Sequence, residues 1–169
     1  MSKNYFQILR AGINTTFQDL GRENLYHIGI PFSGAMDRRN YLISNRLVQN
    51  KSDSPVIEFA YQGPLMKYFG ERINVAITGD VHFTIKKKDE KFEGLCYQNY
   101  FLENGDEIDI LSTNKSVYGY FSIGGEFDLK YQWGSCSINT KANIGSNDGK
   151  KISTTQTIKI KKINQNFLS

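Results

Sequence analysis

Between residues 12 and 37 the chain carries four glycines (Gly12, Gly21, Gly29, Gly34) and Pro31, a density that excludes a helix and leaves little room for long strands. Glycine reaches positive φ and lets backbones approach closely, whereas proline holds φ at about −65°. The segment therefore specifies an irregular backbone, and the rest of the chain has to form a scaffold that holds it. Loops held in this way are where binding and catalytic groups tend to sit.

One helix is expected directly after this segment. Asp37 can cap it by accepting from free N–H groups of the first turn. Tyr41, Leu42, Ile43, Leu47 and Val48 follow at helical spacing, and Asn50 is suited to the left-handed stop position. Asn45 falls on the same stripe as Tyr41 and Val48, so its amide is expected to be buried and to fasten neighbouring loops. The remaining segments read as short strands separated by glycine, asparagine and aspartate turns. They include Val56–Tyr61, Ile73–Ile77, His82–Lys88, Leu95–Leu111 folded as a hairpin about Asn104-Gly105, Val117–Ile123, and the Ile158/Ile160 alternation. The lysines that alternate with Ile158 and Ile160 would also discourage edge pairing. An aromatic content of 13% suits sheet. The expected class is mainly β, as a barrel or sandwich with one principal α-helix.

A chain of 169 residues can form one domain with a sizeable core. Residues 1–163 are read as that domain and 164–169 as a tail. Two cysteines, Cys96 and Cys136, form no disulfide framework and no metal spacing, which suits a reducing cytoplasmic setting. Neither a leader-like run nor a stretch of ~20 apolar residues is present, so no membrane partner is expected. Seven lysines stand against Asp148 alone in residues 130–169. Without interleaved aromatics this basic stretch reads as a solvated face, and no nucleic-acid partner is expected.

Several chemistries lack their motifs. The chain has no phosphate loop, no dinucleotide fingerprint and no nucleophile elbow. His27 and His82 share no ligand spacing with the cysteines, so no metal site is expected. Cys136 has no base near it in sequence, which argues against thiol catalysis. Gln18-Asp19-Leu20-Gly21-Arg22 is the richest polar cluster. Asp19 and Arg22 either pair across a turn, worth about 0–1 kcal/mol if exposed, or serve a ligand. In the second case Arg22 grips a carboxylate while Asp19 orients it or accepts a proton. Ser33 and Asp37 either cap the helix or leave N–H groups open to an anion. Glu58 is either an edge residue or a site carboxylate.

Taken in order, these segments resemble the carboxyltransferase-type family that includes the C-type component of 5-oxoprolinase, the antagonist of the Kip kinase inhibitor, and part of urea carboxylase. The resemblance runs through Gly12, Thr15-Thr16, Gln18 to Arg22, Gly29-Ile30-Pro31 and Ser33 to Asp37. It continues through Asn45 to Val48, Ile57-Glu58, Gly63-Pro64, Ala76 to Gly79, Gly105-Asp106, Gly124-Gly125 and Gly134-Ser135 with Ser137. Asn24 and Gln49 stand where relatives carry glycine, Val81 where they carry an acid, and Cys136 where they carry arginine. The resemblance ends near Ile160, about halfway along such proteins, as in a truncation, a split subunit or a decayed copy.

The resemblance implies a cyclophilin-like β-barrel and a non-autonomous subunit of an ATP-dependent hydrolase that opens 5-oxoproline to glutamate. It also implies partners like the A-type and B-type components of 5-oxoprolinase, a detached C-terminal half, and ATP bound by or shared with those partners. Gln18, Asp19, Arg22, Ser33 and Asp37 would line the site of a small carboxylated lactam, on a frame of Gly21, Gly29, Pro31, Gly34 and Asn45. The alternatives are a regulatory module of the Kip-antagonist kind and a carboxyl-transfer domain. Biotin is not expected on this chain, which has no Ala-Met-Lys-Met-type attachment sequence.

Overall fold

Alternating burial along short strands builds two β-sheets that face each other across one core. The computed structural model describes residues 3–165. The expected tail therefore lies outside the described residues from position 166 onward. In chain order the elements are β1 (Tyr5–Arg10), β2 (Thr16–Gln18), α1 (Arg38–Leu47), β3 (Val56–Ala60), β4 (Leu65–Phe69), β5 (Ile73–Thr78) and β6 (Val81–Lys87). They continue with β7 (Glu90–Glu93), β8 (Asn99–Leu102), β9 (Glu107–Thr113), β10 (Tyr118–Ile123), β11 (Gly125–Phe127) and β12 (Thr157–Ile163).

The larger sheet has seven strands in the order β11-β12-β1-β4-β9-β6-β7, and the smaller has five in the order β2-β3-β10-β5-β8. Neither sheet closes on itself, so the expected barrel is replaced by two open, facing sheets. In the larger sheet Phe6 and Ile8, Met66 and Tyr68, Phe83 and Ile85, Ile108 and Ile110, and Ile158 and Ile160 point inward at every second position. The smaller sheet answers with Phe17, Ile57, Phe59, Val75, Ile77, Phe121 and Ile123. Phe6 and Phe121 meet edge to face, with ring centroids 5.5 Å apart, and so join the two layers.

The smaller sheet is covered on its other face as well, where α1 packs on β10 and β5. Tyr41 reaches Tyr120 and Val56 in this second apolar layer. For this reason β3 and β5 are buried along their whole length and show no exposed alternation. Asp37 caps α1 as expected, its carboxylate accepting from the Asn40 N–H at 3.1 Å. The left-handed stop falls on Gln49 (φ 57°), not on Asn50. The Asn50 amide instead donates to the Ile123 carbonyl at 2.8 Å and so ties the helix end to β10.

The Asn104-Gly105 hairpin does not form. β8 pairs with β5, whereas β9 pairs with β4 and β6. The turn thus carries the chain from one sheet to the other. Asp106 holds it by accepting from the Glu103 N–H at 2.9 Å and from Lys87 Nζ at 2.5 Å. β12 is an interior strand between β11 and β1, so its exposed lysines mark a wet face and do not guard an edge.

Candidate functional site

The irregular segment is held by two passes of itself. Arg22 N–H donates to the Phe32 carbonyl at 2.6 Å, and Ala35 N–H donates to the Asp19 carbonyl at 3.1 Å. Gly21 (φ 89°) and Gly34 (φ 98°) sit where these passes touch. A Cβ on Gly21 would lie 2.6 Å from the Ser33 carbonyl oxygen, and one on Gly34 would lie 2.9 Å from that of Leu20. No L side chain fits there without moving the backbone.

Asp19 is buried and its carboxylate is fully occupied. It accepts from Gly21 N–H at 2.8 Å, Cys136 N–H at 2.9 Å, Ser137 Oγ at 2.7 Å, and Ser135 Oγ. Burial pushes its pKa up, but these hydrogen bonds outweigh burial and hold the carboxyl below the usual range. Arg22 is 2% exposed and makes no ion pair with Asp19 among the described residues. Its Nε donates to the Gln132 carbonyl at 3.0 Å and its Nη2 to the Ser135 carbonyl at 3.2 Å, while its buried Nη1 has no partner. Burial lowers the guanidinium pKa, and the charge of Asp19 opposes that shift. Together the two residues clamp the loop 132–137 onto the glycine segment.

Arg22 and Asp19 line a cleft of about 730 Å³. Lys51 and Lys161 also line it, as do Tyr131 and the half-exposed Trp133. Trp133 holds a left-handed backbone (φ 56°) immediately before Gly134. Burial pushes the Tyr131 pKa up to about 12.

Gln18 and Ser33 are not in that cleft. They line a second one of about 260 Å³, with Thr16, Gly34, Glu58 and Asn139. β2 pairs with β3 so that Thr16 lies opposite Glu58, and β10 places Tyr120 on the other side of Glu58. These residues share the outer face of the smaller sheet. Glu58 is 6% exposed, and its Oε2 accepts from Met36 N–H at 2.8 Å and from the Tyr120 hydroxyl at 2.7 Å. Burial raises its pKa, the two hydrogen bonds pull it back, and the charge of Asp37 adds to the rise. Glu58 is thus an enclosed carboxyl facing a cleft, not an edge residue.

Asp37 lines neither cleft. Its carboxylate caps α1 and its N–H donates to the Tyr120 hydroxyl at 2.7 Å. Asn45 is buried as expected, its amide donating to the Ser54 carbonyl at 2.9 Å. Gly29 (φ 82°) follows a short 3-10 turn at Tyr26–Ile28, and Pro31 comes two residues later. The Cys136 thiol is buried, and burial followed by the charge of Asp19 pushes its pKa up, which leaves no thiolate nucleophile. The described residues hold no cluster of three or more histidine, cysteine or acidic groups suited to a metal ion. No helix among them is long and apolar enough to cross a membrane.

Sequence reading missed Thr16, Tyr120, Trp133 and Asn139. The Thr-Phe-Gln alternation at 16–18 carried the signal for the first of these, since a period of two puts Thr16 and Gln18 on one face and Phe17 on the other.

Comparison with known proteins adds the family context. The family model described as "Carboxyltransferase domain, subdomain A and B" matches residues 28–168. The C-type component of the Haemophilus influenzae 5-oxoprolinase is 30% identical over 143 residues, covering 85% of this chain and 45% of that protein. The urea amidolyase of Lachancea kluyveri is 31% identical over 148 residues, covering 86% of this chain and 8% of that protein. Among solved structures, the Kluyveromyces lactis urea carboxylase superposes with a TM-score of 0.87 at 28% identity, covering 100% of this chain and 14% of that one. The chain thus spans less than half the length of these relatives.

Proposed function

Because this chain belongs to the carboxyltransferase domain family of subdomains A and B, we propose that it is a non-autonomous subunit of an ATP-dependent 5-oxoprolinase-type hydrolase. Its relatives are parts of hydrolase and carboxylase enzymes. In this reading it acts with partners like the A-type and B-type components of 5-oxoprolinase, and a detached C-terminal half supplies what the longer relatives carry. The substrate is a small carboxylated lactam.

One observation carries the reading. Arg22 is buried on the wall of the larger cleft with Nη1 unmatched, a guanidinium N–H that a carboxylate would complete. The same cleft is lined by Lys51 and Lys161 and also by Glu23, Asp53 and Glu126, so Arg22 and not the net charge carries the reading. Asp19 keeps Arg22 charged and in place, and its own oxygens are too fully bonded to act as a base. Asp37 and the backbone of Gly21, Gly29, Pro31 and Gly34 form the frame. In this reading ATP is bound by the partner subunits or shared with them, since this sequence carries no phosphate loop.

The test is 5-oxoproline turnover by the reconstituted complex, measured below the melting point of every variant. Arg22→Ala should abolish turnover, and Arg22→Lys should raise KM with a smaller change in kcat. Loss of turnover that only follows the folded fraction would make Arg22 purely structural.

A second reading is a carboxyl-transfer domain served by biotin on another protein. The match to urea carboxylase over the whole chain favours it. Bicarbonate-dependent turnover with a biotinylated carrier, and none with 5-oxoproline, would select it.

A further inference from the structure

The smaller cleft is built differently from the one around Arg22, and the Arg22 reading makes no use of it. Its floor is the outer face of β2 and β3, where Thr16 stands opposite Glu58 and Gln18 opposite Val56. One wall is Ser33, Gly34 and Met36, and the other is Ile138 to Lys141. The Gln18 amide is 5% exposed and fixed in orientation, because Nε2 donates to the Ile138 carbonyl at 3.0 Å and to Thr16 Oγ1 at 3.0 Å. That orientation leaves Gln18 Oε1 buried with no donor. Burying a carbonyl oxygen without a donor is costly, so a partner for it is expected.

Glu58 supplies a second acceptor. Met36 N–H and the Tyr120 hydroxyl both go to Oε2, and Oε1 takes neither. No lysine or arginine pairs with Glu58 among the described residues. Lys141, exposed at the mouth, is the only cation among the described residues that line the cleft, and the other charge acting on Glu58, Asp37, is negative. The cleft therefore presents two oxygens that take no donor from the described residues, Glu58 Oε1 and Gln18 Oε1.

We propose that this cleft binds a small organic cation carrying N–H donors, a primary ammonium or an amidinium, with Glu58 and Gln18 Oε1 as its acceptors. A cation would offset the burial of the Glu58 carboxylate, and its N–H groups would satisfy the oxygen that the fold leaves bare. A volume of about 260 Å³ limits the ligand to a small molecule. A primary ammonium is also what an amide or lactam leaves on its nitrogen once water has opened it. The site goes beyond the Arg22 reading and does not depend on it.

The test is binding to the full chain by calorimetry and amide NMR, with methylammonium, acetamide and tetramethylammonium as probes. Methylammonium should bind saturably, shifting the amides of Met36 and Gln18. Tetramethylammonium, which has no N–H, and neutral acetamide should each bind at least tenfold more weakly. Glu58→Gln keeps the shape and the acceptor for Met36 and Tyr120, so it should fold and lose methylammonium binding tenfold or more. Gln18→Met should lose it about fivefold. Equal binding of tetramethylammonium, tighter binding of acetamide, or an unaltered Glu58→Gln would overturn the proposal. None of these readouts involves 5-oxoproline turnover, so the two readings fail separately.

Discussion

Asp19 and Ser137 hold each other twice across 118 positions of sequence: the Asp19 N–H donates to Ser137 Oγ at 2.9 Å, and that hydroxyl donates to Asp19 Oδ1 at 2.7 Å. The exchange fixes the loop 132–137 to the glycine segment and makes Asp19 a structural anchor before any ligand is considered. It also sets what the first substitution should do.

Asp19→Asn keeps the size of the side chain but replaces a charged acceptor of four hydrogen bonds. Hydrogen bonds to charged groups are worth about 1.5–3 kcal/mol each, and they share one site here. A net loss of about 2–4 kcal/mol is expected in urea unfolding. The pH sign follows from a folded pKa held below the unfolded value. Stability from Asp19 is present above about pH 4 and is lost as pH falls through the folded pKa. Wild type should therefore lose stability on acidification more steeply than Asp19→Asn.

Glu58 has the opposite sign. Its folded pKa lies above the unfolded value, so the folded state holds the proton longer, and stability falls as pH rises from about 4.3 toward the folded pKa. Glu58→Gln removes that dependence. The difference in melting temperature, variant minus wild type, should grow between pH 4 and pH 8. A flat difference would show that Glu58 ionises as freely in the fold as outside it.

Trp133 is the only tryptophan and stands half-exposed on the larger cleft. A carboxylated lactam bound at Arg22 should alter its emission saturably. Arg22→Lys should weaken that titration about tenfold, equivalent to about 1.4 kcal/mol. No emission change up to high millimolar ligand would count against the cleft.

Phe6 and Phe121 bridge the two sheets. Phe121→Ala should cost about 3–5 kcal/mol, the usual range for emptying a buried aromatic site. Asp37→Ala, at a helix cap, should cost about 1 kcal/mol. Chemical denaturation of both variants checks the ranking.

Much of this was legible from local chemistry. Asp37, Tyr41, Asn45 and Val48 declared the helix through capping and period. Ile158 and Ile160 declared their strand through alternation. Asn24 and Gln49 take positive φ, the left-handed conformation for which glycine is the least costly residue. The layer partners were not legible, because Asn104-Gly105 marks a tight turn without saying whether the flanking strands pair. Here Asp106 and Lys87 turn the chain toward the other sheet. The division of the polar cluster was hidden for a similar reason. Gln18 and Asp19 are adjacent in sequence, yet strand pleating sends one toward Glu58, while the other is drawn to Ser135 and Ser137.

β1 lies between β12 and β4, with Tyr5 opposite Lys159 on one side and Phe69 on the other. A nascent chain emerging from the ribosome can zip β1 to β4 early, but the second flank of β1 stays bare until β12 has been made. The larger sheet is therefore sealed by a late, long-range closure, and a chain interrupted before position 157 would carry a sticky border in place of a finished layer.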